Sequence, residues 1–115
     1  MHYRTLGKSN LQVSALCLGT MMFGDQTGQD EAAAIVADAR AQGVNYIDTA
    51  DVYTKGASET MLGSLLKGQR RDWVLATKLG NKMSDRVNEG HYSRSWMLRA
   101  LDNSLQRLQT DHVDI

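Results

Sequence analysis

No proline occurs anywhere in this 115-residue chain, and no serine- or glycine-rich stretch takes the place of a linker. Nothing therefore divides it, and residues 1–115 are predicted to form one continuous unit of ordinary domain size. With a single cysteine, Cys17, no internal disulfide can form, which fits a reducing compartment and makes the cytoplasm the default location. Neither sign of charge is in excess, with 13 basic and 13 acidic residues, so there is no surplus to draw the chain to nucleic acid or an anionic membrane. Long apolar runs are missing too. The stretch 32–37 is among the longest, far short of the roughly 20 residues that a membrane-spanning helix needs. Met1-His2-Tyr3-Arg4-Thr5 has no apolar core of the secretory kind. Aromatic residues are only 6%; Trp73 and Trp96 read as packing residues, with no basic-aromatic interleaving to form a nucleobase platform. The histidines at 2, 91 and 112 share no metal-ligand spacing with one another or with Cys17, so no metal site is expected. What remains, 42% hydrophobic and 23% charged, is a globular composition.

Helical and strand-like segments alternate along the chain. Residues 3–13 carry Gly7-Lys8-Ser9-Asn10 between two short β-prone pieces and are predicted to form a hairpin. Ser14-Ala15-Leu16-Cys17-Leu18, ending at Gly19, is taken as the first core strand, with Cys17 a small buried hydrophobe within it. Asp30 is expected to cap an alanine-rich helix that stops at Gly43. Val44-Asn45-Tyr46-Ile47 forms the second strand, ending at Asp48. Ser58 is expected to cap a short helix with Met61, Leu62, Leu65 and Leu66 on one face. Trp73-Val74-Leu75-Ala76 is the third strand, and residues 80–92 a long polar loop. Ser93 or Ser95 opens a third helix with Leu98, Leu101, Leu105 and Leu108 as its apolar face, and His112-Val113-Asp114-Ile115 starts a fourth strand. Such a β-α-β-α-β-α-β order implies parallel strands joined by helical crossovers.

Parallel α/β folds gather their βα loops, and with them their ligands, at the C-terminal ends of the strands. Gly19-Thr20, Asp48 and Lys78 each stand at such an end, and Tyr53 follows Asp48 closely enough for its loop to fold back over the same mouth. A carboxylate, a phenol and an ammonium together suit an enzyme that hands a proton to a carbonyl oxygen. A free phenol titrates near 10 and is a sluggish acid at pH 7; an adjacent ammonium favours the phenolate, and a carboxylate keeps that ammonium charged and oriented. Taken singly, each residue has a blander use. A strand-end aspartate caps a helix, a tyrosine packs under a loop, and a lysine sits in solvent. Asp51 is expected to be a loop or cap residue. Met21, Met22 and Phe23 either cover the mouth or line a pocket, and His91 and Tyr92 are expected to be solvated, with substrate contact the alternative.

These motifs closely resemble the aldo-keto reductase family. The pattern lies in Gly43-Val44-Asn45-Tyr46-Ile47-Asp48-Thr49-Ala50-Asp51-Val52-Tyr53, in Ser58-Glu59 with Gly63, and in Ala76-Thr77-Lys78. Arg4-Thr5-Leu6-Gly7 with Val13-Ser14 resembles the hairpin that plugs the bottom of these barrels, and Leu105-Gln106-Arg107-Leu108-Gln109-Thr110-Asp111 resembles the approach to strand four. The resemblance implies a (β/α)8 TIM barrel, of which the chain carries the N-terminal hairpin and about three and a half βα units. It implies transfer of a hydride from NADPH to an aldehyde or ketone, with NAD(H) left open as the cofactor. Tyr53 would be the proton donor, Lys78 its electrostatic partner and Asp48 the carboxylate paired with the lysine. Gly19, Thr20 and Met21, with Asp48, would line the nicotinamide end.

The resemblance also implies a histidine at the end of strand four, and later loops that hold the cofactor. His112 precedes the predicted fourth strand and does not match that histidine. A complete barrel needs about 250 residues, so the expectation is a first portion lacking the C-terminal part of the barrel and inactive by itself. Two alternatives stand beside the reductase. One is an inactive barrel fragment; the other is a non-catalytic binding subunit of the kind represented by the potassium-channel β subunits.

Overall fold

The computed structural model describes residues Met1–Ile115. Two short strands, β1 (Tyr3–Thr5) and β2 (Gln12–Ser14), pair antiparallel as the expected hairpin. Three further strands, β3 (Leu18–Gly19), β4 (Tyr46–Asp48) and β5 (Val74–Ala76), lie parallel in that order. Helix α1 (Gln29–Ala41) connects β3 to β4, α2 (Ala57–Leu65) connects β4 to β5, and α3 (Arg94–Leu108) follows β5. Side chains alternate across a strand. Leu18, Ile47 and Leu75, in register with one another, therefore point to one face, where they meet Val36, Leu62, Leu66 and Leu108 of the helices in the core. Cys17, Gly19, Tyr46 and Asp48 fall on the other face.

The first core strand is shorter than predicted. Ser14 is drawn into the hairpin, because its backbone N–H donates to Asn45 Oδ1 at 2.7 Å and its hydroxyl accepts from the Asn45 N–H at 3.2 Å. Residues 15 and 16 then bend outward, leaving Leu16 exposed, and only Leu18–Gly19 pair with β4. Cys17, expected to be buried, is exposed on the open face. The same Asn45 also donates to the Gln12 carbonyl at 2.9 Å, and the Tyr3 hydroxyl donates to the Gly43 carbonyl at 2.8 Å. These contacts clamp the hairpin to the N-terminal end of the sheet, opposite the strand ends that carry Asp48 and Lys78.

The helix caps also differ. Gly28, not Asp30, is the N-cap of α1, and Asp30 lies in the first turn, where its charge complements the helix dipole. Gly56 is the N-cap of α2, and Ser58 is already helical, its hydroxyl used elsewhere. Ser93 caps α3 as anticipated, accepting from the Trp96 N–H at 3.2 Å. The buried face of α3 is Trp96, Ala100, Ser104 and Leu108, spaced four apart, whereas Leu98 is 48% exposed. Residues 80–92 form the predicted loop. Beyond α3 the chain runs alongside β5, with the Asp114 N–H donating to the Leu75 carbonyl at 2.9 Å and the Thr77 N–H donating to the Ile115 carbonyl at 3.1 Å. The strand expected at residues 112–115 does not form: the chain lies in the parallel sense beside β5, but too few bonds are made for a ladder.

Candidate active site

Parallel pairing sets Gly19, Asp48 and Ala76 side by side at the C-terminal edge of the sheet. One residue further on, each strand has a threonine: Thr20, Thr49 and Thr77. The start of α2 fastens this row from the helical side. The Ser58 hydroxyl, fully buried, donates to the Thr20 carbonyl at 2.8 Å and lies 3.0 Å from Thr20 Oγ1 and 3.1 Å from Thr49 Oγ1. Next to it, the buried Glu59 accepts from Thr77 Oγ1 and from Arg107 Nε, both at 2.6 Å. Ser58-Glu59 therefore holds all three strand ends in fixed relation. This function is visible in the sequence only as a threonine after each strand, a signal without force until the register is known.

On that base the predicted trio converges. Lys78 Nζ donates to Asp48 Oδ2 at 2.6 Å and stands 4.8 Å from the centre of the Tyr53 ring. The Asp51 N–H donates to the Lys78 carbonyl at 3.0 Å, which ties the Tyr53 loop to the end of β5. Lys78 and Asp48 are 48% and 34% exposed, so their pairing is worth at most about 1 kcal/mol and serves mainly to orient the ammonium. Partial desolvation pulls the Lys78 pKa down, but its bond to Asp48 and attraction to the Tyr53 phenol together outweigh it, leaving the pKa above the usual lysine value. The ammonium stays charged.

A second phenol, Tyr46, shares the open face. Partial desolvation, followed by Cys17 and Asp48, pushes its pKa up, so it holds its proton more tightly than a free tyrosine. The Cys17 thiol is raised as well, first by desolvation and then by Asp48. Of the two phenols, only Tyr53 lies over the Lys78 ammonium.

Tyr53 borders two cavities. One, of about 340 Å³, is lined by Gly19, Thr20, Met21, Met22, Phe23 and Asp48 among others. In it Phe23 is buried, Met21 and Met22 are exposed, and the Thr20 hydroxyl is engaged with the Asp48 carbonyl and Ser58. The other, of about 270 Å³, brings Tyr53 together with Lys78, Leu79, Asn81 and Tyr92. A larger groove of about 520 Å³ runs between α1 and α2 on the helical side; it is mostly aliphatic and lies away from the strand ends. After Tyr53 the backbone takes left-handed values at Thr54 (φ 50°) and Lys55 (φ 54°), a conformation costing roughly 1–2 kcal/mol per ordinary residue. Such strain accumulates where a loop must present a side chain at a fixed place. Asp51, predicted for the loop, is in it but buried.

The aldo/keto reductase family model matches residues 15–115. The chain is 40% identical over 118 residues to the uncharacterised oxidoreductase YqkF of Bacillus subtilis, covering 100% of this chain and 38% of the relative. A second B. subtilis oxidoreductase, the uncharacterised YrpG, is 40% identical over 126 residues, with 39% of its length covered. The holo form of the aldo-keto reductase AKR11C1 from Bacillus halodurans superimposes with a TM-score of 0.85 at 41% identity, covering 98% of this chain and 38% of that one. The chain thus spans about two fifths of the length of the relatives it matches. Its hairpin, three parallel strands and intervening helices have the α/β architecture of the N-terminal part of a reductase TIM barrel. The chain belongs to the aldo/keto reductase family.

Proposed function

We propose that the whole protein reduces aldehydes or ketones to alcohols with NADP(H), with Tyr53 as proton donor, Lys78 as its electrostatic partner and Asp48 as the carboxylate that holds Lys78. The observation that carries this reading is the placement of the Lys78 ammonium between Asp48 Oδ2, 2.6 Å away, and the Tyr53 ring, 4.8 Å away. The cavity of about 340 Å³ beside them suits the flat nicotinamide end of a cofactor. Gly19 presents no side chain there, Met21 and Met22 give apolar cover, and Asp48 supplies a polar edge. Gly19, Thr20, Met21 and Asp48 would hold that end, Thr20 through its main chain because its hydroxyl is already engaged. A reduced nicotinamide, when bound, supplies the hydride.

The chain's own residues supply the rest. The Tyr53 hydroxyl donates a hydrogen bond to the carbonyl oxygen of the substrate, and passes its proton there as negative charge gathers on that oxygen. The phenolate left behind is stabilised by the Lys78 ammonium. Asp48 keeps that ammonium in place through the cycle. Residues 1–115 contribute the hairpin, three βα units and the start of the fourth strand to the barrel, whose remaining strands would close over this site. The partner is a small carbonyl compound. No helix is long and apolar enough to cross a membrane, and the lone cysteine supports a cytoplasmic setting.

The test is Tyr53→Phe in the full-length protein. Loss of a positioned general acid lowers kcat by roughly 10²- to 10⁴-fold, while the Kd for the cofactor stays unchanged. Parallel titrations with NADPH and NADH separate the two cofactors. A variant that keeps the parent kcat rules out Tyr53 as the donor.

A further inference from the structure

The loop 80–92 is closed at its neck. The His91 N–H donates to the Gly80 carbonyl at 2.8 Å, which places residue 92 directly against residue 80. There the Tyr92 ring lies on the bare α-carbon of Gly80: a side chain at position 80 would put its first carbon 2.5 Å from Tyr92 Cε1 and 2.8 Å from its hydroxyl oxygen. Gly80 also has φ +118°, a conformation open to glycine and little else. Two independent requirements thus make Gly80 a seat shaped for this ring. The seat directs Tyr92 toward the proposed proton donor, since Tyr92, Tyr53 and Lys78 line the same cavity of about 270 Å³. Despite that fixed seating Tyr92 is 72% exposed, unlike Trp73 and Trp96, which are buried in the packing. The ring face turned away from Gly80 is open to a ligand.

We infer that Tyr92 is a specificity-determining residue, forming an aromatic wall on the substrate side of Tyr53 and selecting aryl aldehydes over short aliphatic ones. The inference rests on the reductase reading and deepens it. A carbonyl held by the Tyr53 hydroxyl has two sides available. The side toward Gly19 and Met21 is assigned to the nicotinamide end, so the substituent of the carbonyl carbon extends into the cavity shared with Tyr92. A flat ring there stacks offset on the Tyr92 ring. A polar group at the far end of that ring can meet the Tyr92 hydroxyl. A two-carbon chain is too short to reach the wall and gains nothing from it.

The experiment compares benzaldehyde, 4-hydroxybenzaldehyde and propanal as substrates of the full-length protein and of Tyr92→Ala, Tyr92→Leu and Tyr92→Phe. Stacking of this kind corresponds to a change of roughly two- to tenfold. The ratio of kcat/KM for benzaldehyde to that for propanal should fall by about that factor in Tyr92→Ala and Tyr92→Leu, through KM, and be retained in Tyr92→Phe. The preference for 4-hydroxybenzaldehyde over benzaldehyde should weaken in Tyr92→Phe. A ratio in Tyr92→Ala equal to the parent's overturns the inference, as does full retention by Tyr92→Leu. A second readout does not depend on turnover: nuclear Overhauser contacts between the ring protons of benzaldehyde and those of Tyr92 in the cofactor-loaded protein. Contacts without turnover support Tyr92 as the wall while defeating the reductase reading. Turnover without such contacts defeats Tyr92 alone.

Discussion

Asp51 stands two residues before Tyr53 and is 1% exposed, with one carboxylate oxygen lacking any partner. Burial, then repulsion from Glu59, raises its pKa; attraction to Arg107 and the Val52 backbone N–H only partly offset this. Glu59 and Arg107 are the charged groups that face it, and they are already paired with each other at 2.6 Å. A carboxyl whose folded pKa exceeds its unfolded value stabilises the fold below the unfolded pKa. That contribution is lost as pH rises through the folded value, because the unfolded chain releases its proton first. Asp51→Asn removes the titration while keeping the shape. Its stability relative to the parent should therefore rise as pH increases from about 4 toward neutrality, by roughly 1.4 kcal/mol for each unit by which the folded pKa is raised. Urea midpoints at the two ends of that range check this. A difference that is flat with pH, or that falls, shows that folding does not raise the Asp51 pKa. That Asp48, Tyr53 and Lys78 meet at one rim was legible because Asp48 and Lys78 stand just past apolar runs and Tyr53 follows Asp48 by only five residues. Burial of Asp51 was not legible, since it depends on Glu59 and Arg107, and the latter is 56 positions away in sequence.

Helices α2 and α3 cross at Gly63. A methyl group added there would lie 2.5 Å from the Arg107 carbonyl oxygen and 2.8 Å from the Leu108 carbonyl carbon. Both are backbone atoms that cannot rotate away. Gly63→Ala must separate the helices, and overpacking of this kind costs typically about 1–3 kcal/mol, against a gain of up to about 1 kcal/mol in helix propensity. A net loss of stability is expected in chemical denaturation; a stabilised variant would show that the crossing is looser than its distances imply. The close crossing also accounts for the face that α3 buries. Leucines at 98, 101, 105 and 108 suggested an apolar stripe by their spacing, but helices this near one another favour small side chains between them. Ala100 and Ser104 are buried with Trp96 and Leu108, while Leu98 is left outside. Existence and order of the helices and parallel strands were legible from apolar runs punctuated by glycine and polar turns. Their ends were less so. Gly28 and Gly56 serve as N-caps without a side chain to announce them, and Ser14 left the first core strand because Asn45, far along the chain, captured it. The row of Thr20, Thr49 and Thr77 was illegible for the same reason, as only strand register aligns it.

The 115 residues spread as a slab of 44 × 36 × 21 Å with a radius of gyration of 14.3 Å, above the roughly 13 Å of a compact chain of this length. Helices cover one face of the parallel sheet, and the other carries Cys17, Tyr46, Asp48 and Lys78. In a barrel such a face is filled and its strand edges are paired on both sides. Here β3 has no neighbour beyond β4, and the last residues pair only with the end of β5. Leu16 and Met21 are among the large apolar side chains left exposed, at 63% and 54%. Unpaired parallel edges and uncovered apolar groups drive self-association, and with no excess of either charge there is little repulsion to oppose it. The 115-residue chain alone is therefore expected to sediment at micromolar concentration as species larger than its 12.8 kDa. It should also bind a dye such as ANS, and show no carbonyl reduction with NADPH. Added salt should not dissociate the larger species, because apolar contact and backbone pairing hold them rather than opposite charges. A single 12.8 kDa boundary without dye binding would mean that the open face folds over itself in solution, and turnover by that species would mean that Asp48, Tyr53 and Lys78 suffice without the later strands.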